Sequence, residues 1–446
     1  MSTEADIVRV RLWGEEVGAL AEIDGTVVFQ YHPSYLKNGH SISPVRMPLV
    51  ARPFENKVKR DVFEGLMGVF ADSLPDLYGK KIIQNYFQSK YGDKRYRPSP
   101  LRTLMYIGGR GLGALEYEPT DHQSFNAREP LDLADMVGYA KRVIGGDLRV
   151  DSEAQAVITS IMQSGSFAGG ARPKAIIGWD RNKNSIIAGV PPLPKGYEHW
   201  LIKFDGTQNH PEDWGKVEYV YSQIARLCEI EMSETLLIRE GGRAHFATKR
   251  FDVNEVGERL HMHSLSGMTH SDFNEQRSLD YSDFFRTVRF VTKSESEVRK
   301  AFQRLAFNFV GRNCDDHTKN FAFLMDRSGQ WRLSPQYDLC FSYGADPKSW
   351  VNKHQMTLLG RDEFTKEAVL EVGRLFNVGD AKGILERTEQ AFSNWPQLAK
   401  EQDVGSALIQ DCLDSLRLGS SRSIVTKPRA EPSPAVEEDG DSPAPR

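Results

Sequence analysis

The densest chemistry in this 446-residue chain lies in six consecutive residues, Asp315-Asp316-His317-Thr318-Lys319-Asn320. Asp315 and Asn320 stand in the spacing Asp-x-x-x-x-Asn, and Asp338 follows in Gln336-Tyr337-Asp338-Leu339. Two carboxylates and an amide so spaced suit phosphoryl transfer. The first carboxylate can face an acceptor hydroxyl while the amide turns back to a metal ion, and the second, beyond a hairpin, supplies the other ligand. Such chemistry is mostly positioning and charge neutralisation. A carboxylate and an amide oxygen, with phosphates and water, can hold Mg²⁺. Alone, the spacing is a weak signal, because Asp and Asn are common in turns. The hairpin pattern and Asp338 strengthen it. His317 has no Cys or acid partner at metal-ligand spacing and reads as a loop histidine capping a neighbouring backbone group.

Two upstream features fit the same chemistry. Lys203 sits in the middle of Leu201-Ile202-Lys203-Phe204. An ammonium flanked by apolar strand residues needs a partner; it could neutralise an ATP α/β-phosphate and pair with Glu218 in the helix that follows. A strand-edge lysine facing water is the plainer alternative. The stretch Gly165–Lys174 holds three glycines, Arg172 and Lys174. Accessible backbone amides there could cradle phosphate, or the stretch could be an ordinary glycine-rich hairpin. Neither GxGxxG nor GxxxxGK[ST] occurs in it, which excludes the dinucleotide fingerprint and the Walker A loop.

These residues need elements to hold them. Residues 7–31 are short β-rich runs broken by Gly14, Gly18 and Asp24-Gly25, which predicts a small antiparallel sheet. Ser73-Leu74-Pro75-Asp76 is a helix start, and Ile82, Ile83, Tyr86 and Phe87 continue it at helical spacing. Gly108–Gly113 punctuate the end of this unit. Residues 130–165 read as largely helical. Then come a glycine-rich loop, a strand at 199–204, a helix at 216–230 and a strand at 243–252. From Ser282 the chain is mostly helical, with 297–312 at clear 3.6-residue spacing. A hairpin over FAFLMDRSGQWRL and amphipathic segments at 363–377, 380–394 and 403–417 complete it. Beyond Arg422 lie five of the 22 prolines and no aromatic residue, a composition that cannot bury enough surface to order itself.

Composition sets outer bounds. With 39% hydrophobic and 26% charged residues the chain reads as soluble and globular, of two or three units. It has no apolar run long enough for a membrane span, and its start, MSTEADIVRV, does not read as a secretory signal. Cys228, Cys314, Cys340 and Cys412 are far apart, with no CxxC, so a reducing cytoplasm is the simplest location. A net charge of −4 is not the footprint of a protein that wraps nucleic acid by itself.

Taken together, the residues resemble the HipA family of bacterial toxin kinases. The resemblance runs to about residue 415 and is carried by three stretches: VFEGLMGVFADSLPDLYG at 62–79 with GLGALEY at 111–117, GGARPKA at 169–175, and NCDDHTKNFAFL at 313–324 with SPQYDL at 334–339. It implies an α+β, two-lobed protein-kinase-like fold with an added N-terminal β-rich subdomain (1–125), an N-lobe (126–252) and a mostly helical C-lobe (253–420), followed by a disordered tail (421–446). It implies an ATP- and Mg²⁺-dependent serine/threonine-protein kinase. Asp315 would be the catalytic base, Asn320 and Asp338 the metal ligands, and Lys203 a phosphate contact. Gly169, Gly170, Ala171, Arg172 and Lys174 would form the phosphate loop. Thr248, Lys249 and Phe251 would lie on the hinge strand Phe246–Phe251, with His317 and Lys319 also near the nucleotide. The implied partner is a HipB-type helix-turn-helix antitoxin, through which operator DNA is met. The implied target is a protein, such as the glutamyl member of the aminoacyl-tRNA synthetases, whose phosphorylation arrests growth. The family autophosphorylates a serine before the loop; that slot falls on Phe167 here, with Ser166 and Ser164 as the nearest candidates.

Two alternatives stand beside this one. A DNA-bound regulatory subunit could carry a vestigial site, although Asp315, Asn320, Asp338 and Lys203 are all present. A related lobe pair could also phosphorylate a small molecule, because the acceptor is chosen by surface shape.

Overall fold

The structure, a computed structural model, describes residues 6–56, 60–121, 128–144, 173–205, 213–254, 256–342 and 352–419. Gly169, Gly170, Ala171, Arg172, Ser164, Ser166 and the expected tail lie outside the described residues.

The first sheet is antiparallel in the order β4-β3-β2-β1-β5. Its strands are β1 (Ile7–Leu12), β2 (Glu15–Ile23), β3 (Thr26–Tyr31), β4 (Phe54–Glu55) and β5 (Leu115–Glu118). The turns Trp13-Gly14 and Asp24-Gly25 have positive φ at both positions, the geometry that matches strand twist in two-residue hairpins. Period-2 alternation buries Val8, Val10 and Leu12 against Val27, Phe29 and Tyr31. Helix α1 (Leu77–Tyr91) starts where Asp76 Oδ1 accepts the Gly79 amide at 2.8 Å. Helix α2 (Pro100–Ile107) is capped by Ser99. Helix α3 (Leu133–Ile144) opens the stretch expected to be helical over 130–165; the remainder of that stretch lies outside the described residues.

The second sheet is antiparallel in the order β7-β6-β8-β10-β9. It comprises β6 (Lys174–Asp180), β7 (Ser185–Ala188), β8 (Glu198–Lys203), β9 (Thr235–Glu240) and β10 (Arg243–Lys249). Each strand splits its side chains between two faces. Ala175, Ile177, Trp200, Ile202 and Ala247 pack with Ile82, Ile83 and Phe87 of α1 and Met136 and Val137 of α3. The alternate residues, among them Leu201, Lys203, Phe246 and Thr248, face the other way. Helix α4 (Trp214–Leu227) crosses close to β10: a Cβ on Gly215 would stand 2.2 Å from the Ala244 carbonyl oxygen, so only glycine permits that approach.

The third sheet, β11 (His261–Ser264), β12 (Ala322–Met325) and β13 (Trp331–Leu333), is antiparallel in that order. The expected hairpin is its β12–β13 half. Around it lie α5 (Leu265–Thr269), α6 (Tyr281–Thr292), α7 (Glu295–Val310), α8 (Lys366–Leu375), α9 (Ala381–Phe392), α10 (Trp395–Glu401) and α11 (Ser406–Ser415). Helix α10 has no counterpart in the sequence reading. It has seven residues with Pro396 in its first turn, too short for a 3.6-residue period to show.

A buried carboxylate ties the N-terminal region to the third sheet. Asp72 accepts from the Ser264 amide at 2.8 Å, the Ser264 hydroxyl at 2.7 Å and His263 Nδ1 at 2.7 Å. Ser43 Oγ lies 3.0 Å from the other ring nitrogen of His263. Ser43, Asp72, His263 and Ser264 are all buried. Burial pushes the Asp72 carboxyl up, but its hydrogen bond to His263 and the charges of His263 and Lys319 outweigh that and hold it below the usual carboxylate range. A depressed folded-state pKa stabilises above the ordinary carboxylate value and is lost as pH falls through the folded one. Asp72→Ala is therefore expected to cost about 3 kcal/mol at neutral pH, because three buried donors lose their acceptor. Urea midpoints at pH 7 check this; a loss under about 0.5 kcal/mol, the scale of an ordinary surface substitution, would make the cluster incidental.

Candidate active site

The second and third sheets flank a cleft. Leu201, Lys203, Phe246 and Thr248 come from the second sheet, Glu218 and Ser222 from α4. Lys249, Arg250, Phe251 and Asp252 form one end, and Gln336–Leu339 with Met262 form the floor. Most of the wall is apolar; apart from Lys249, Arg250 and Asp252 at its end, the charged groups gather at one point.

That point is Lys203. Its ammonium lies 2.5 Å from Glu218 Oε1 and 2.5 Å from Asp338 Oδ1. Strand alternation puts Lys203 on the cleft face of β8, and α4 presents Glu218 to it. Both side chains are buried, so each charge requires the other. Asp338 sits at φ 56, a left-handed conformation that Asp tolerates at modest cost and that recurs at functional sites. Burial pushes the Asp338 carboxyl up, and Lys203 and Lys174 more than reverse this, so it stays ionised well into acid.

The segment between α7 and β12 carries the other groups. Asp316 is fully buried and anchors it, accepting from Tyr281 Oη at 2.7 Å, His354 Nδ1 at 2.8 Å and the Gln355 amide at 2.7 Å. The Ser271 hydroxyl reaches Thr318 Oγ1 at 3.0 Å, and the Tyr337 hydroxyl donates to the Lys319 carbonyl at 2.6 Å. Held this way, Asp315 leaves 51% of its side chain exposed. Asn320 Nδ2 donates to the Asp315 carbonyl at 2.7 Å and so joins the two ends of the motif. That bond orients the amide, and Asn320 Oδ1 is buried without a hydrogen-bond partner among the described residues.

Asp315 and Asp338 are pushed in opposite directions. Partial desolvation by the protein around it raises the Asp315 carboxyl; His317 and Lys203 pull it down, Asp338 and Asp316 add to the rise, and the net effect is upward. Paired carboxyls driven apart in this way suit separate roles, one exchanging a proton and one staying charged. An oriented amide oxygen lacking a partner, together with an ionised carboxylate, fits a small divalent cation that keeps water and phosphate as its other ligands. Among the described residues no group of three or more His, Cys, Asp or Glu could hold a metal without such help.

The other expected residues are spread more widely. Thr248, Lys249 and Phe251 line the cleft, with the Lys249 ammonium held by Glu198 at 2.6 Å. Lys174 faces Lys203 across the β6–β8 register but is buried, 3.3 Å from Asp76 Oδ2. Lys319 is also buried, its ammonium 4.4 Å from the centre of the Phe273 ring. Burial pushes it down to about 8, against the pull of Asp72. His317 corrects the sequence reading: its side chain makes no capping hydrogen bond, and its Nε2 lies 3.8 Å from Asp315 Oδ1. The spacing analysis did not single out Asp316, Asp76 or Leu112. Asp316 carried one available signal, an acid directly beside the motif's first residue.

The chain is similar to known proteins over most of its length. A family model described as the HipA-like C-terminal domain matches residues 166–395, and one described as the HipA N-terminal domain matches residues 8–118. Among solved structures, the chain is similar to one described as the HipA, HipB and operator DNA complex of the Shewanella oneidensis MR-1 toxin–antitoxin system. The identity is 14% over 91% of this chain and 94% of that one, with a TM-score of 0.63. The proinflammatory kinase CtkA of Helicobacter pylori matches 49% of this chain and 88% of its own, at 15% identity and a TM-score of 0.33. No curated protein matches. No helix among the described residues is long and apolar enough to cross a membrane.

Proposed function

The chain belongs to the HipA family, and from that membership we propose that it is the kinase toxin of a type II toxin–antitoxin module. In this reading it transfers the γ-phosphate of Mg-ATP to a serine or threonine of a protein target and so arrests growth. The observation that carries the proposal is Lys203, joined to both Glu218 and Asp338 in an apolar cleft.

Phe246, Phe251 and their neighbours would receive the purine, and Lys203 would neutralise the α/β-phosphates. A magnesium ion, when bound, would neutralise charge on the phosphates, held by Asn320 Oδ1 and Asp338. Asp315, exposed and with a raised carboxyl, would accept the hydroxyl proton as the substrate oxygen bonds to the γ-phosphorus and the bond to the ADP oxygen breaks. The loop Gly169–Lys174 would cover the phosphates, and Ser166 or Ser164 would be the site of self-phosphorylation. The units would divide at 125, 252 and 420.

Family membership supports a HipB-type helix-turn-helix antitoxin as partner, with operator DNA met through it, and a cytoplasmic location. A glutamyl-tRNA synthetase is the proposed class of target. The test is a host lysate incubated with the chain and γ-phosphate-labelled ATP, beside an Asp315→Ala control. One or a few protein bands should take label only with the wild type. Label confined to small molecules, or equal label with the control, would overturn the proposal.

A further inference from the structure

Helix α7 ends at Val310 and delivers the chain into the loop that carries Asp315. Residues 310–314 and Asp316 are buried, and Asp315 between them is exposed. The last carbonyls of a helix have no partner inside it, and buried ones must find partners elsewhere. Here the partners come from far along the chain. The Arg417 amide donates to the Val310 carbonyl at 3.0 Å, the Tyr221 hydroxyl of α4 to the Gly311 carbonyl at 2.6 Å, and the Ser342 amide to the Arg312 carbonyl at 3.1 Å. A Cβ on Gly311 would stand 2.2 Å from the Phe392 ring of α9, so that helix also lies tight against the exit.

The Arg417 side chain extends the same grip. Its guanidinium lies over the Phe309 ring, 4.5 Å from the ring centre, and donates to the Phe364 carbonyl at 2.6 Å. The Phe364 ring lies flat on His354, with centres 4.0 Å apart and planes 7° from parallel. His354 Nδ1 in turn donates to Asp316 at 2.8 Å. These contacts close a ring. It runs from the end of α7 through Arg417, Phe364 and His354 to Asp316, and returns along the backbone to Val310. Asp315 belongs to the stretch of backbone that the ring spans, and its own side chain takes no part in it.

Resting on the reading of Asp315 as the catalytic base, we propose that the segment after α11, residues 416–419, is a clamp on the catalytic loop. Arg417 and His354 are its positioning residues, and they hold Asp315 toward the acceptor hydroxyl. An exposed carboxylate on a loop owes its place to whatever fixes its backbone, and a misplacement of about 1 Å is enough to slow a reaction severely. Arg417 lies beyond residue 395, where the match to the HipA-like C-terminal domain ends, so the clamp comes from outside the matched domain. Lys203, with Glu218 and Asp338, is held by other contacts. The clamp therefore acts on transfer and leaves nucleotide binding alone.

The test uses two substitutions in the full chain, singly and together. Arg417→Met keeps an apolar stem on Phe309 and removes the donor to Phe364. His354→Phe keeps the stack on Phe364 and removes the donor to Asp316. Three quantities are measured: the initial rate of label transfer from γ-phosphate-labelled ATP to the lysate bands that the wild type marks, the affinity for the ATP analogue AMP-PNP with magnesium, and the urea midpoint. Each single variant should lower the rate about tenfold at saturating ATP, with AMP-PNP affinity unchanged. Because both act through Phe364, the double variant should also fall about tenfold, where independent effects would multiply to about a hundredfold. A lowered urea midpoint with unchanged rates would make both residues packing groups and overturn the inference. AMP-PNP affinity falling in step with the rate would overturn it too, and so would a hundredfold loss in the double variant. A wild-type chain that labels no band would instead remove the kinase reading on which the clamp rests.

Discussion

Asp315→Asn is expected to fold like the wild type and to lose phosphoryl transfer by about 10²–10⁴-fold, the scale of a missing general base. The amide keeps the shape but cannot take the hydroxyl proton. Folding should survive because the structural work in this loop belongs to the neighbour: Asp316 is the buried acid bonded to Tyr281, His354 and Gln355, whereas Asp315 has half its side chain in the open. The Asn320 bond goes to the Asp315 carbonyl, which the substitution leaves in place. Activity against pH offers a second reading. The wild-type base works only when ionised, so activity should fall as pH drops. Because partial desolvation and the charges of Asp338 and Asp316 raise its carboxyl, the acid limb should lie above the value of an ordinary aspartate. The residual activity of Asp315→Asn should lack that limb. A variant with wild-type turnover, or one with the same limb, would remove Asp315 from proton transfer.

Asp338→Asn is expected to lower transfer on the order of 10²–10³-fold, as for one lost preorganised electrostatic group, and to raise the magnesium needed for half-maximal rate. Asn is the informative replacement, since at φ 56 it tolerates the left-handed backbone that would strain Ala. Two effects combine. One of two protein ligands loses its charge, and a cation that dehydrates reluctantly depends on such ligands. Lys203 also loses one of the two carboxylates that hold it. Rates measured over a magnesium series at saturating ATP separate them. If the rate falls with no change in magnesium dependence, Asp338 acts only as the counter-ion of Lys203.

Much of this was legible locally. The hairpin turn at Asp24-Gly25 follows from short-range rules, because two-residue turns with positive φ accept few residues, and the β12–β13 pair closes over a five-residue loop with Gly329 at positive φ. The strand carrying Lys203 and the helix carrying Glu218 were readable from period-2 and 3.6-residue patterns, and alternation alone puts Lys203 opposite Ile202 across the strand. The local rule failed at His317, where a capping hydrogen bond was expected and the ring lies beside Asp315 instead. Loop histidines take partners from whatever the fold brings near, so sequence proximity does not choose them.

The sequence by itself determined the chemistry available: a base, an amide and a second acid at kinase-like spacing, with a strand lysine to balance phosphate charge. Spacing along a chain sets which groups share a loop or a face, and that is a local property. Only the tertiary structure decided what encloses them. It set Asp72 against Ser264 and His263, paired Lys174 with Asp76, and placed Leu112 at the cleft wall. Each of these contacts joins residues many turns and strands apart. A buried charge or an unpaired amide takes its partner from whichever segment packs over it, and the packing of distant segments has no period that a reading of the chain can detect.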